Sequence, residues 1–158
     1  MVPTLAGRIQ TRIFLLATVG VIVTALITPL LPLPGPLSAA YKTTYIILAA
    51  VMVVGIVWEL IYHLLMQWRW EKDWPSMFGL LTGIPEGIVI WLLLAAGALP
   101  GIKGMPGEAF LIDFIVVWLI VWLVAQGPMR IPFIRWRFHG GRLRGRPGRS
   151  PRALRGPA

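Results

Sequence analysis

Phe78-Gly79-Leu80-Leu81-Thr82-Gly83-Ile84-Pro85-Glu86-Gly87 places three glycines, a proline and a carboxylate inside one long apolar segment. On a helix, residues four apart share a face, so Gly79, Gly83 and Gly87 form a smooth stripe that admits close approach of a second helix. Pro85 has no N–H to donate to the carbonyl of Leu81 and is expected to kink or break that helix. Glu86 then sits beside a freed carbonyl, one position off the glycine stripe.

The surroundings decide what kind of helix this is. The chain has 158 residues, 57% of them hydrophobic and 13% charged, far from the balance of a soluble domain. The pattern predicts an all-α polytopic membrane protein, with four transmembrane helices in an antiparallel bundle and a disordered basic C-terminal tail. Ile13 to Leu31 is an uncharged run of the length that crosses about 30 Å of hydrocarbon. Further spans are expected over 44–66, 77–99 and 109–126. Residues 1–138 thus form the transmembrane domain, with interfacial segments at 67–76 and 129–138. Ser38-Ala39-Ala40 resembles a signal cleavage site, but the apolar run before it exceeds the 7–15 residues, approximately, of a signal core.

Small residues recur in the first span as well. Gly20, Thr24 and Thr28 are four apart and form a candidate partner face for the glycine stripe. Pro29, Pro32, Pro34 and Pro36 end that span in a stiff connection. In the fourth span Phe110, Phe114, Trp118 and Trp122 run down one side, to face lipid or a neighbouring helix.

The net charge of +9 resembles a nucleic-acid signal until it is located. Residues 1–129 carry six bases and six acids, and the excess is nine arginines from Arg130 to Arg155. Residues 139–158 are rich in Gly, Pro and Arg and carry no apolar period, so they are expected to be a disordered cytoplasmic tail. Tethered at a membrane, Arg135, Arg137, Arg142, Arg144 and Arg146 are expected to contact anionic headgroups rather than nucleic acid. Bases near span ends orient the chain. Arg8, Arg12, Arg69, Lys72 and the tail mark the cytoplasmic side, and Lys42 and Lys103 alone mark the outer loops. The chain is therefore expected to cross the cytoplasmic (inner) membrane with both ends on its cytoplasmic side.

Charge within a span costs about 2.5–3.5 kcal/mol on insertion scales, so each such group needs a partner or a reason. At about 1.5 Å per residue, Glu59 and Glu86 lie at similar depths. His63 is one turn from Glu59, so Glu59, His63 and Glu86 can share a site between the second and third spans. Asp113 lies in the outer half of its span, within reach of Lys103. The Glu59, His63 and Glu86 group has two readings: a structural polar contact between helices, or a proton-handling site in which a desolvated carboxyl and a histidine exchange a proton. One histidine and two carboxylates are a sparse metal set. His139, the other histidine, lies in the basic segment and excludes a haem-ligating pair. There are no cysteines. Walker, Gly-x-Ser-x-Gly, His-Glu-x-x-His and Gly-x-Gly-x-x-Gly motifs are missing, and no catalytic set, metal or cofactor is expected.

Trp58-Glu59-Leu60-Ile61-Tyr62-His63, Arg69-Trp70-Glu71-Lys72-Asp73-Trp74-Pro75 and Gly127-Pro128-Met129-Arg130 together resemble small integral membrane proteins of actinomycete type. That resemblance implies a four-span membrane protein, carries over no activity and transfers no functional residue. The expected function is a noncatalytic accessory or scaffolding subunit, a homo-oligomer or part of a larger complex. The alternative is a proton-coupled transporter or channel subunit.

Overall fold

The computed structural model describes residues 5–67, 76–102 and 104–128, and every regular element among them is helical. We label the helices α1 (Leu5–Leu30), α2 (Leu37–Gln67), α3 (Ser76–Leu81), α4 (Gly83–Ala95) and α5 (Gly107–Gln126). Three of them, α1, α2 from Leu37 to Leu65 and α5, are long and apolar enough to cross a membrane, as expected of a multi-pass membrane protein. Leu26, Leu30, Val53, Leu64, Ile84 and Leu92 are exposed, the distribution of a protein whose outer surface meets lipid.

The helix that carries the first expected span begins at Leu5 rather than near residue 13, so Arg8 and Arg12 are helical residues. Within α1, Leu16–Gly20 forms a π turn and Thr28–Leu30 a 3₁₀ turn. Arg8, Arg12, Leu16, Gly20, Thr24 and Thr28 are spaced by four, and each such step drifts about 40° round an α-helix of 3.6 residues per turn. The wider π turn takes back part of that drift. One continuous line of side chains thereby stays on the inner side of α1, with Leu16, Gly20, Thr24 and Thr28 all buried.

The expected third span is two helices. Thr82 separates α3 from α4, and the break falls where Pro85 removes the N–H that would close the turn on Leu81. Thr82 Oγ1 donates to the carbonyl of Gly79 at 2.8 Å, and Trp118 Nε1 of α5 donates to the carbonyl of Leu80 at 3.2 Å. The carbonyls of Gly79 and Leu80, just before the break, thus accept from side-chain donors. Gly79–Ala95 is apolar but shorter than the three long helices.

The two small-residue stripes do not meet. Gly79, Gly83 and Gly87 face the aromatic line of α5: a Cβ at Gly79 would lie 3.6 Å from the indole of Trp122, one at Gly83 would run into Trp118, and one at Gly87 would come within 2.8 Å of Phe114. The rings of Phe110, Phe114 and Trp118 follow one another at centroid distances of 5.7 and 6.0 Å. Large flat side chains thus occupy the space the glycines leave, which is why close packing here pairs glycine with aromatic rather than glycine with glycine. The Gly20, Thr24 and Thr28 stripe turns instead toward α2. A Cβ at Gly20 would lie 3.2 Å from Leu48, and the Thr28 and Thr44 hydroxyls hydrogen-bond at 2.9 Å. Tyr41 OH donates to the carbonyl of Ala25 at 3.0 Å. The apolar core lies beside these contacts, with Leu16, Ile47, Ile90, Ala109 and Phe110 almost fully enclosed.

The interfacial segments expected over 67–76 and 129–138, the tail, and the arginines expected to contact anionic lipid lie outside the described residues, apart from the helical backbone at Gln67 and Ser76.

A buried arginine–glutamate cluster as candidate functional site

Four ionisable side chains from three helices converge at one level. Arg8 and Arg12 stand one turn apart on α1. Glu59 comes from α2, and Glu86 from the first turn of α4. Arg8 Nη2 lies 2.7 Å from Glu59 Oε2. Arg12 bridges the two acids: its Nη1 is 3.4 Å from Glu59 Oε1, and its Nη2 donates to Glu86 Oε1. Two cations face two anions, so the cluster is neutral as a unit. Burial deepens along it, from 18% side-chain exposure at Arg8 through 10% at Arg12 to none at Glu86.

The helices make room for this pair in specific ways. Gly55 of α2 lies where a Cβ would overlap the guanidinium of Arg12, so the arginine enters because that position lacks a side chain. The indole of Trp118 lies 5.4 Å from Arg12 Cζ, a cation–π contact at a desolvated site. Glu86 occupies the first turn of α4, where the helix dipole favours an anion. Tyr62 OH points to the carbonyl of Thr82 at 3.5 Å, next to the helix break. Arginine suits the role because its planar fork addresses two carboxylates at once and stays charged.

Glu59 and Glu86 therefore meet, but through Arg12 rather than through each other or through His63. Half-buried His63 keeps its place one turn from Glu59, and its Nδ1 has no hydrogen-bond partner among the described residues. Glu86 Oε2 likewise has none. Asp113 of α5 is buried, and Lys103, its expected partner, lies outside the described residues. Among the described residues no group of three or more His, Cys, Asp or Glu side chains is placed to hold a metal ion.

Sequence reasoning placed Arg8 and Arg12 outside the span as orientation signals and so missed them as members of the site. The available signal was their four-residue spacing in register with Leu16 and Gly20, together with the equal numbers of acids and bases in residues 1–129. A cavity of about 290 Å³ opens beside the cluster, lined by Arg8, Thr11, Arg12, Glu59, Trp122 and Gln126 among others. Glu86 is not part of its wall.

In comparison with known proteins, the chain matches no family model, no curated protein and no solved structure.

Proposed function

We propose that the chain is a four-span protein of the cytoplasmic membrane with both ends inside, working without catalysis as an accessory or scaffolding subunit through helix association. In this reading α3 and α4 together make the remaining crossing, adjacent helices run antiparallel, and the protein acts as a homo-oligomer or within a larger membrane complex. The observation that carries the proposal is the closed pairing of Arg8, Arg12, Glu59 and Glu86. Groups whose charges are satisfied by one another hold helices together and leave no unpaired charge for chemistry. The sealed position of Glu86, outside the wall of the neighbouring cavity, supports the same reading, because a transport carboxyl needs an aqueous approach. The experiment is co-purification from native membranes with in-membrane cross-linking. A stoichiometric partner or a homo-oligomer is expected. A monomer with no partner would overturn the proposal.

A second reading, proton-coupled transport or conduction, is favoured by the buried unpartnered atoms Glu86 Oε2 and His63 Nδ1. It requires that Glu86→Gln and Glu59→Gln abolish proton flux in proteoliposomes. Flux unaffected by both substitutions, or no flux in the unmodified protein, removes it.

A further inference from the structure

Asp113 belongs to a different polar level from the Arg12 cluster. It is 3% exposed, and its Oδ1 has no hydrogen-bond partner among the described residues. Thr24 of α1 is fully buried, and its Oγ1 is also unpartnered. Both line one small cavity of about 20 Å³, otherwise walled by apolar side chains such as Ile47, Leu48 and Val117. A cavity needs roughly 10–15 Å³ and two or more polar partners to hold a water molecule. This one has the volume of a single water, with an acceptor on one side and a hydroxyl on the other. Two side chains with orphaned polar atoms lining the same water-sized space are the condition under which buried water is part of a fold.

Leu16 and Trp118 line this cavity and also the larger one at Arg8, Arg12 and Glu59. They are therefore the wall between the two. Leu16 is also the first residue of the π turn, where α1 departs from the α-helical hydrogen-bond pattern. We propose that Asp113 and Thr24 hold one water molecule between them, and that it exchanges with the Arg8–Glu59 cavity past Leu16 and Trp118. The site takes water as its ligand, and it is independent of the association proposed above.

The test is hydroxyl-radical footprinting by brief X-ray irradiation of the full chain in lipid nanodiscs, because radicals formed from bound water mark the side chains beside it. Two matched pairs of buried residues serve as internal controls: Ile47 against Ile90 and Leu48 against Leu94. The first of each lines the cavity, while the second lines neither this cavity nor the larger one. Oxidation of Ile47 and Leu48 several-fold above Ile90 and Leu94 is expected, with loss of that excess in Thr24→Val and its retention in Thr24→Ser. In isotope-labelled water, Leu16→Ala should hasten incorporation of the label at Ile47. Equal oxidation within the pairs overturns the proposal, and so does an excess that survives Thr24→Val. Should Thr24→Val fail to fold, the paired comparison in the unsubstituted protein and in Thr24→Ser decides. Unchanged incorporation in Leu16→Ala overturns the route past Leu16.

Discussion

Arg12 and Glu86 stand 74 residues apart in the chain and form an ion pair whose carboxylate is fully enclosed by protein. Removing Arg12 leaves Glu86 buried and uncompensated, and removing Glu86 leaves Arg12 only its 3.4 Å carboxylate contact with Glu59 Oε1. Removing one member of such a pair costs about 3–5 kcal/mol, whereas replacing both by apolar groups is often close to neutral. Arg12→Leu and Glu86→Leu are each expected to lower stability by that amount, and the double variant by much less. A double-mutant cycle of unfolding in mild detergent measures the coupling. Additive losses would show that the pair does not bind α1 to α4.

The guanidinium of Arg12 fits only because Gly55 has no side chain. Gly55→Ala is expected to displace Arg12 and to mimic part of the Arg12→Leu loss, about 1–3 kcal/mol as for overpacking elsewhere. Combined with Arg12→Leu, the alanine should cost little more. A full additional loss in the double variant would contradict the steric account.

The glycine stripe should be graded in its tolerance. Gly83→Ala drives a methyl into Trp118, Gly87→Ala brings one to 2.8 Å from Phe114, and Gly79→Ala makes an ordinary 3.6 Å contact with Trp122. The expected order of destabilisation is Gly83 first, then Gly87, with Gly79 nearly neutral or stabilised by the better helix propensity of alanine. Thermal unfolding of the three variants gives the order. A Gly79→Ala variant as damaged as Gly83→Ala would refute the ring packing described here.

Trp118 joins three features: it stacks in the aromatic line, faces Arg12 and donates to the carbonyl of Leu80. Trp118→Phe keeps a ring but removes the donor beside the helix break. A loss of about 1–3 kcal/mol is expected from a partly buried carbonyl left without its donor together with a weaker cation–π contact. Faster amide hydrogen exchange at Ile84 and Glu86 should accompany it. Unchanged exchange at those two positions would locate the break's stability elsewhere.

The tail makes a separate expectation, drawn from its composition. Residues 140–158 should bind anionic vesicles with about 1 kcal/mol per base near the headgroups, weakened steeply by salt. Vesicle sedimentation with anionic and neutral lipid at two salt concentrations measures it. Equal binding to neutral vesicles would rule out an electrostatic contact.

The helical elements were legible in the sequence because apolar run length and helical period are local properties. Residues 109–126 fall almost on α5, and Pro85 announced the division between α3 and α4, although the break appears at Thr82, one turn before the proline, where the lost hydrogen bond would have closed. The reach of α1 was less legible. Arg8 and Arg12 lower the apolar average of the first two turns, so they mark a boundary on any hydropathy reading, yet the helix continues through them because their charges are met by acids from other helices.

Composition and period by themselves thus determined that the chain is helical with segments apolar enough to cross a membrane, where most of its helices lie and which faces carry small, aromatic or charged residues. Only the tertiary structure decided which faces meet. The glycines pack on rings, the threonines pack on α2, and Glu59 and Glu86 are joined by Arg12 across separations of 47 and 74 residues. The physical reason is that burying apolar surface needs no particular partner, whereas a desolvated charge or a ring seated on glycine is stable only against one complementary group. That group's identity depends on how distant segments are brought together, which local period does not encode.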